Sequence, residues 1–385
     1  MLFCVDAHTI GCHLTGNEVY IRNLLEQYAE LDPASDYIAF VAKPNADQSL
    51  PARFRKRWVS ENPFRRLGFD IPLNLRRDRP DLIHVQYTGP LFCNVPMVVS
   101  VHDISYLEYP EYFTYFRAKQ LRLTVKRTVQ RAARILTPSE FSRRSIVDAY
   151  KVPEEKVVVV HNAVSGKFRP MHRETAKAWV RNQFGIPGPF VLTVGDIQPR
   201  KNHLGLIRAF EGLVASTPSL PHRLVMVGKE TWFAPAVRKA AAKSKVADRI
   251  HFTDWVSDDD LRYFYGACEC FVFPSFYEGF GLPILEAMAC GRAVVCSSTS
   301  AMPEVANAAA LLFDPKSPSE IARALRDVLL DDELRLRMER LGLQRASTFT
   351  WSRAARETLD VYHEVAGAAR HTTAAQPKSV TALPR

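Results

Sequence analysis

The segment that decides the fold reads Phe273-Pro-Ser-Phe-Tyr-Glu-Gly-Phe-Gly-Leu-Pro-Ile-Leu-Glu-Ala-Met-Ala-Cys-Gly291. It predicts an apolar strand, a loop with glycines and then a helix, because Pro283 suits a first helical position and Gly291 suits the position just past a helix end. Glu278 then lies in the loop, and Glu286 lies in or just after the first helical turn. Both carboxylates are expected where strands end and helices begin, which is where open α/β sheets hold ligands.

Short apolar runs alternate with helical patterns along the chain, and this alternation predicts parallel sheets with crossover helices. The first set of strands is predicted at Leu2–Asp6, Tyr37–Val41, Leu82–Gln86, Met97–Val101, Arg134–Pro138 and Lys156–His161. The second set is predicted at Phe190–Gly195, Arg223–Gly228, Ile250–Phe252, Cys270–Pro274, Ala293–Cys296 and Ala310–Phe313. We therefore expect an α/β protein with two doubly wound, Rossmann-like domains that face each other across a cleft.

The stretch between the two sets predicts the domain boundaries. Gly166 and Pro170 lie there, and a hinge is expected around residues 165–185. The first domain is predicted over residues 1–170 and the second over residues 171–351. A last helix is predicted over about 352–366, and the polar, unpatterned residues 368–385 are expected to form a disordered tail.

The composition is that of a soluble globular protein long enough for two cores, with 385 residues, 47% hydrophobic and 24% charged. No apolar stretch approaches the roughly 18 to 20 residues that cross a bilayer. The seven cysteines contain no Cys-x-x-Cys pair, and we interpret Cys268 and Cys270 as core residues rather than metal ligands. With a start that resembles a first strand rather than a cleavable signal, these features favour a reducing, cytoplasmic setting.

The net charge of +10 is concentrated in the first half of the chain. Three interpretations are open: a nucleic-acid-binding patch, a surface for an anionic membrane, and a solvated helix face. No nucleic-acid-binding motif accompanies the basic residues, so peripheral contact with the inner face of a membrane is the favoured functional alternative and no nucleic-acid partner is expected. The basic residues are Arg53, Arg55 to Arg57, Arg65, Arg66, Arg76, Arg77 and Arg79, and, on a helix predicted over about 116–134, Arg117, Lys119, Arg122, Lys126, Arg127, Arg131 and Arg134.

The Phe273–Gly291 segment resembles the E-x7-E signature of the retaining, nucleotide-sugar-dependent glycosyltransferases of family four. Its glycines and its Ala-Cys-Gly ending make the match more specific than the spacing of the glutamates alone. The resemblance implies the two-domain GT-B fold, in which the last helix crosses back and packs on the first domain. Further segments match the family in order and extend the resemblance from about residue 1 to residue 365: Val101-His-Asp-Ile-Ser, Leu136-Thr-Pro-Ser-Glu-Phe-Ser, Val160-His-Asn-Ala-Val, Val194-Gly-Asp-Ile-Gln-Pro-Arg-Lys-Asn, Leu224-Val-Met-Val-Gly-Lys and Pro303-Glu-Val-Ala.

The resemblance implies different tasks for the two glutamates. Glu286 would hold the ribose hydroxyls of a nucleotide sugar. Glu278, together with the backbone amides of Phe280 to Leu282, would hold the hydroxyls of the transferred sugar, because a carboxylate accepts several hydrogen bonds. The open alternatives are an acid and nucleophile pair of a glycoside hydrolase, and glutamates that merely cap the helix.

The resemblance also implies cations for the diphosphate, because charge builds up on this group as the glycosidic bond breaks. Arg200 and Lys201 follow the strand that ends near Gly195. In one common family pattern a basic residue comes directly after this glycine. Here Asp196 stands in that place, so we expect Arg200 to supply the second cation.

Two further positions complete the implied site. Gly16 lies in the turn after the first strand, where the resemblance implies that a helix N-terminus approaches the donor phosphates. His102 follows a strand and is expected to face the donor sugar. The catalytic set is thus His102, Glu278, Arg200 and Lys201, and the donor-binding set is Gly16, Gly195, Arg200, Lys201, Glu278, Gly279, Phe280, Gly281, Leu282 and Glu286.

The function implied is the retaining transfer of a hexose from a GDP- or UDP-linked donor to a saccharide or lipid-linked acceptor in polysaccharide or glycoconjugate biosynthesis. The Tyr106–Phe113 segment resembles mannosyltransferase-type members. The resemblance implies that no metal or other cofactor is needed, and the acidic run Asp258 to Asp260 is interpreted as matching a helix N-terminus rather than as a metal site. The alternatives are another GT-B enzyme, such as a sugar-nucleotide epimerase or a phosphorylase, and a catalytically silent scaffold subunit.

Overall fold

The computed structural model describes residues 1–12, 15–44, 46 and 50–374. Within these ranges the first domain contains a parallel sheet in the order β3-β2-β1-β4-β5-β6-β7. Its strands are β1 (Leu2–Asp6), β2 (Asp36–Val41), β3 (Arg55–Trp58), β4 (Leu82–Gln86), β5 (Met97–Ser100), β6 (Arg134–Thr137) and β7 (Val157–Val159).

The second domain contains a parallel sheet in the order β10-β9-β8-β11-β12-β13. Its strands are β8 (Phe190–Val194), β9 (Arg223–Val227), β10 (Ile250–Phe252), β11 (Cys270–Phe273), β12 (Ala293–Ser297) and β13 (Ala310–Phe313). The predicted pair of doubly wound sheets is therefore confirmed.

Helices cover both sheets, so several strands are buried along their whole length, as β4, β11 and β12 are. The helices of the first domain are α1 (Thr15–Leu31), α2 (Pro63–Arg65), α3 (Ile71–Asp78), α4 (Ser105–Glu108), α5 (Tyr115–Arg131) and α6 (Glu140–Tyr150). Those that follow are α7 (Arg173–Phe184), α8 (His203–Ser216), α9 (Ala234–Lys243), α10 (Asp258–Ala267), α11 (Leu282–Ala289), α12 (Met302–Ala306), α13 (Pro318–Leu330), α14 (Asp332–Ser347) and α15 (Trp351–Ala374). A π-helical turn, Arg66–Asp70, joins α2 to α3.

The strand order reverses between β1 and β4 in the first sheet and between β8 and β11 in the second. Loops that follow strands on either side of such a point diverge and leave a crevice, where ligands bind in open α/β sheets. In the second domain this places the loop after β8 beside the loop after β11. Arg200 and Lys201 lie in the first of these loops, and Glu278 lies in the second.

One basic run of the sequence forms a strand that the sequence analysis did not predict. Arg55–Trp58 is β3, at the edge of the first sheet, and pairs with β2 from Ile38 to Val41. Its residues are exposed or only partly buried, so no apolar pattern indicated a strand. Charged side chains on an edge strand also discourage pairing with another chain.

The last helix is longer than predicted. It runs from Trp351 to Ala374, so the expectation of a disordered tail is wrong for residues 368–374, while residues 375–385 lie outside the described ranges. The helix packs on the first domain, as the resemblance implied. The Tyr362 hydroxyl lies 2.5 Å from Nδ1 of His84 in β4, and Arg370 forms an ion pair of 2.9 Å with Asp81. The second contact joins the end of the helix to the residue that directly precedes β4.

Within the described ranges, no helix combines the length and the apolar composition that crossing a bilayer requires.

Candidate active site

Glu278 lies in the loop between β11 and α11, and Glu286 lies in α11, as the sequence predicted. Pro283 stands in the first turn of this helix. Gly281 precedes the helix with φ of 113°, in the region that favours glycine. The local pattern of strand, loop and helix is therefore confirmed.

Glu278 forms ion pairs with both predicted cations. Its Oε1 lies 2.7 Å from Nζ of Lys201 and its Oε2 lies 2.7 Å from Nη1 of Arg200. The Glu278 and Lys201 side chains are each only 11% exposed. Burial by itself would raise the pKa of Glu278, but the two cations outweigh it and hold this pKa at about 2. Glu278 is thus ionised, and two cations against one carboxylate leave the cluster with net positive charge.

Hydrogen bonds that involve the backbone hold the two loops of this cluster together and join Glu278 to the loop after β12. The Phe276 N–H donates to the carbonyl oxygen of Arg200 over 2.8 Å, and Nη1 of Arg200 donates to the carbonyl oxygen of Tyr277 over 3.3 Å. The N–H of Glu278 donates to Oγ of Ser300 over 3.0 Å. The carboxylate and the cations are therefore held in position by the fold.

Gly195 lies directly after β8, with φ of 151°. A Cβ at this position would lie 3.1 Å from Cε of Lys201, and a Cβ at Gly228, after β9, would lie 2.1 Å from the carbonyl oxygen of Gly195. The two strand ends therefore approach more closely than side chains allow, and the Lys201 side chain packs against Gly195 at the end of β8. Gly228 belongs to a segment that carried the family resemblance, but it was not among the predicted site residues.

Glu286 has a different environment from Glu278. Its Oε2 accepts a hydrogen bond of 2.7 Å from the hydroxyl of Tyr265 in α10. Burial raises the pKa of Glu286 to about 7, although this hydrogen bond opposes the shift. Tyr265 was not among the predicted site residues, because an aromatic residue in an amphipathic helix carries no signal that separates it from a core residue.

His102 follows β5 at the cleft side of the first domain. Its Nε2 lies 3.3 Å from Oε1 of Gln86, and its ring contacts those of Tyr20 and Tyr87 with centroids 4.6 and 5.7 Å apart. Burial lowers the pKa of His102 to about 4. The imidazole is therefore neutral at neutral pH and can donate or accept a hydrogen bond.

The Glu278 loop contacts the first domain directly. A Cβ at Gly279 would lie 1.9 Å from the carbonyl oxygen of His102. The carbonyl oxygen of Gly279 accepts hydrogen bonds of 2.7 Å from Oγ of Ser139 and 3.1 Å from Oγ of Ser142. The structure thus brings His102 together with the predicted residues of the second domain.

A second contact between the domains, at Glu304 in α12, was not predicted. Its carboxylate accepts the backbone N–H groups of Glu140 and Phe141, over 2.9 and 3.1 Å, at the N-terminus of α6. Nε2 of His161 lies 3.3 Å from the same carboxylate. The Pro-Glu-Val-Ala segment indicated this position only through the resemblance, and its partners lie more than 140 residues away in sequence.

The remaining predicted positions have more ordinary surroundings. Phe280 is buried, and its ring lies 5.8 Å from that of Phe349, while Leu282 is the first residue of α11. Gly16 is the second residue of α1, and apart from its chain neighbours and the backbone of the same helix, no atom of the described residues lies within 4 Å of the place where its Cβ would be. The role expected for Gly16 stays a prediction.

The three consecutive aspartates at the start of α10 have structural partners. Ser257 caps this helix by accepting the N–H of Asp260, Asp258 lies 3.6 Å from Arg22, and Asp259 lies 3.3 Å from Lys167. In the part of the chain that the structure describes, no group of three or more His, Cys, Asp or Glu residues is arranged to hold a metal ion.

Sequence comparison finds relatives along most of the chain. Residues 14–166 match the family described as Glycosyltransferase Family 4, and residues 180–345 match the family described as Glycosyl transferases group 1. The O-antigen chain mannosyltransferase B of Escherichia coli is 34% identical over 292 residues, which are 74% of this chain and 75% of that protein. The serotype-specific mannosyltransferase WbdA of Escherichia coli is 28% identical over 255 residues, which are 66% of this chain but only 31% of that longer protein.

Solved structures share the fold of this chain. Sucrose-phosphate synthase of Thermosynechococcus elongatus superposes with a TM-score of 0.76 at 19% identity, over 95% of this chain and 99% of that chain. WaaG, a glycosyltransferase of lipopolysaccharide biosynthesis, has a TM-score of 0.73 at 16% identity, over 94% and 99% of the two chains. These likenesses identify the fold as GT-B.

The sequence relatives are hexose-transferring enzymes, and they do not favour an epimerase, a phosphorylase or a silent scaffold. The chain belongs to glycosyltransferase family four and is a hexosyltransferase of glycoconjugate biosynthesis with the GT-B fold.

Proposed function

We propose that this enzyme transfers mannose from a nucleoside diphosphate sugar to a saccharide acceptor with retention of anomeric configuration and without a metal ion. The observation that carries the proposal is the buried cluster of Glu278, Arg200 and Lys201 at the switch point of the second sheet. The choice of mannose rests on the 34% identity to an O-antigen chain mannosyltransferase.

The cluster suits a diphosphate because two fixed cations can stabilise the charge that develops on the leaving group. Lys201 and Arg200 already hold one carboxylate, so their charged groups point to a common acceptor position. In this proposal the cations take the place that a divalent metal occupies in other phosphate-handling sites.

Glu278 and Glu286 then have binding tasks. Glu278 would accept hydrogen bonds from the sugar hydroxyls, and Glu286, oriented by the Tyr265 hydroxyl, would accept those of the ribose. The ionisation of Glu278 supports this task, since an ionised carboxylate is a pure acceptor.

For retention, the acceptor would attack on the same face from which the nucleotide leaves, and the leaving phosphate would take the acceptor proton. No side chain is then required as a base. His102, neutral at neutral pH, would position the donor sugar by hydrogen bonding.

The proposal is tested with GDP-mannose, UDP-glucose and UDP-galactose, each with a mannoside acceptor and with or without EDTA. We expect transfer from GDP-mannose, no loss in EDTA, and a product whose anomeric proton shows the α configuration of the donor. Lys201→Ala should weaken donor binding by at least about tenfold, because a charge-assisted hydrogen bond contributes roughly 1.5 to 3 kcal/mol. Lys201→Arg, which keeps the charge, is the matched control.

Each part of the proposal has its own contrary result. An inverted product excludes retention, and loss of activity in EDTA with recovery in Mg²⁺ excludes metal independence. Transfer from a UDP-hexose alone excludes mannose. Unchanged donor affinity in Lys201→Ala excludes the assignment of the diphosphate to the cluster.

A further inference from the structure

Three segments of the first domain form one continuous surface, which we call the apolar–basic surface: residues 63–78, 88–95 and 115–131. The Leu91 N–H donates to the carbonyl oxygen of Leu67 over 2.9 Å, which joins the second segment to the first. Gly89 donates its N–H to Oγ1 of Thr128 over 2.9 Å, and the Arg127 guanidinium donates to the carbonyl oxygen of Leu91. These bonds join the second segment to α5.

This surface exposes an unusual amount of apolar side chain. Of the 17 large hydrophobic residues that are exposed in the described ranges, eight lie here, including every exposed phenylalanine. Phe116 is 82% exposed and Phe64 is 77% exposed. Soluble proteins rarely gather exposed apolar side chains in one region unless the region binds something. The eight residues are Phe64, Phe69, Leu73, Leu91, Phe92, Tyr115, Phe116 and Leu123.

Basic side chains surround the apolar ones. Helix α5 carries six basic residues and no acidic residue. Phe116 and Leu123 are seven residues apart and therefore share a face of the helix. On the same face, Lys119 lies between them and Lys126 follows Leu123. The opposite face, which includes Val125, is buried against the sheet. Apolar groups with flanking cations match the interface of a bilayer that contains anionic lipid, where the apolar groups enter the acyl boundary and the cations meet the headgroups.

The surface lies next to the cleft. Residues 88–95 follow Tyr87, whose ring lies 5.7 Å from that of His102. The chain also runs from His102 through α4 and a short 3-10 helix, Pro110–Tyr112, into α5. A molecule anchored in a membrane under this surface would therefore have its polar end close to His102.

We propose that the apolar–basic surface docks the enzyme on an anionic phospholipid bilayer and so presents a lipid-linked acceptor to the cleft; the presentation of the acceptor rests on the proposed function, whereas the docking does not. Charge and polarity argue against the other occupants. A second copy of this chain would bring two sets of cations together, and nucleic acid would leave the exposed aliphatic side chains of Leu73, Leu91 and Leu123 without apolar partners.

Docking is tested by co-sedimentation of the full chain with two kinds of vesicle. One kind contains phosphatidylcholine alone. The other contains phosphatidylcholine with about 30% phosphatidylglycerol, whose charge gives the vesicle a negative surface potential like that of a cytoplasmic leaflet. We expect binding to the anionic vesicles that weakens in high salt, and little binding to the neutral ones. The triple variant Lys119→Gln, Arg122→Gln, Lys126→Gln should weaken binding by up to about 100-fold, since each basic group near anionic lipid contributes about fivefold.

The matched control removes the same charge elsewhere. Lys239, Lys243 and Lys245 are exposed on the second domain, and their replacement by Gln should leave vesicle binding within about twofold, because charges beyond the Debye length contribute little. Phe116→Ser with Leu123→Ser should also weaken binding by at least about tenfold through the lost apolar contact. Exposed Leu330 and Leu336 of the second domain, changed to Ser, are the control for that pair. Thermal unfolding of every variant shows that the fold is kept.

Several results would overturn the inference: no binding to anionic vesicles, equal binding to neutral vesicles, or equal losses in the surface and control variants. A change of oligomeric state in the surface variants, without a change in vesicle binding, would assign the surface to a second copy instead. Donor binding, measured with soluble nucleotide sugar, separates this inference from the proposed function. Vesicle binding without sugar transfer contradicts the proposed function alone, and sugar transfer without vesicle binding contradicts the docking alone.

Discussion

The carbonyl oxygen of His102 occupies the space in which a side chain at Gly279 would begin, only 1.9 Å from the position of its Cβ. The loop that carries Glu278 therefore reaches the first domain through a residue without a side chain. His102 and Glu278 come from different domains, so their arrangement depends on this close approach.

Gly279→Ala should separate the two domains locally and impair the reaction. The methyl group would clash with backbone atoms of His102, which cannot move away as the end of a flexible side chain can. We expect kcat/KM to fall by about 100-fold, since a misplacement of about 1 Å can have that effect. Steady-state transfer assays measure the loss.

Gly212→Ala is the control for that change. Gly212 lies in α8, and apart from its chain neighbours and the backbone of α8, no atom of the described residues is within 4 Å of its Cβ position. This substitution should leave activity unchanged and stabilise the helix slightly. Equal activity of both alanine variants would contradict the importance of the contact at His102.

Glu304 should contribute to stability in a pH-dependent way, because its carboxylate accepts two N–H groups from the other domain. Burial would raise the pKa of Glu304, but the hydrogen bonds from His161 and from these N–H groups outweigh it, so the pKa is lowered. A lowered carboxylate pKa gives stability that is present above the ordinary pKa, near 4.3, and is lost as pH falls through the folded-state pKa. Glu304→Ala should therefore lower the free energy of unfolding by about 1 to 3 kcal/mol at pH 7.

The difference between the wild type and Glu304→Ala should shrink as the pH is lowered below about 4, where the wild-type carboxylate becomes protonated. Urea unfolding at both pH values measures it. Glu333→Ala, at an exposed position in α14, controls for the loss of a carboxylate. A constant difference across this pH range would contradict the role of the ionised group.

Tyr362 should stabilise the packing of the last helix on the first domain. Its hydroxyl lies 2.5 Å from Nδ1 of His84, whose Nε2 lies 2.7 Å from Oγ of Ser100. Burial lowers the pKa of His84 to about 3, so the ring is neutral and needs a partner on each nitrogen. Tyr362→Phe should cost about 1 to 3 kcal/mol, the penalty for a buried polar atom without a partner.

Chemical unfolding monitored by circular dichroism tests this value. Tyr115→Phe, at a position that is 71% exposed, should change the stability by less than about 0.5 kcal/mol, as surface substitutions usually do. If the two variants were equally stable, the hydrogen bond from the last helix would contribute nothing to the free energy of unfolding.

The sequence predicted the parts of the site that depend on local pattern. Glu278 and Glu286 share one continuous run, and Arg200 and Lys201 share another, so the strand, loop and helix rules place each pair. The contact between the two pairs follows from the strand order of the second sheet. The alternation of strands and helices predicts the class of sheet but not this order. Tyr265 and Glu304 could not be found in this way, because neither residue interrupts a helical pattern, and the partners of Glu304 lie more than 140 residues away in sequence. The edge strand at Arg55–Trp58 escaped because charged side chains hide the apolar alternation of an ordinary strand.

Glu286 should make donor binding depend on pH near neutrality. Burial raises the pKa of Glu286 to about 7, so the folded protein binds a proton there that the unfolded chain has lost above about 4.3. The stability that this group contributes is present at low pH and is lost as pH rises through about 7.

Ribose hydroxyls, by contrast, are bound best by the ionised carboxylate, so affinity for the donor should increase by up to about tenfold between pH 6 and pH 8. Calorimetric titration with the intact nucleotide sugar measures this, because its diphosphate diester does not itself titrate in that range. Tyr265→Phe removes the hydrogen bond that favours the ionised form, and should move the midpoint to higher pH. Glu286→Gln should bind more weakly at pH 8 and show no midpoint, and a pH dependence that survives in this variant would assign the titration to another group.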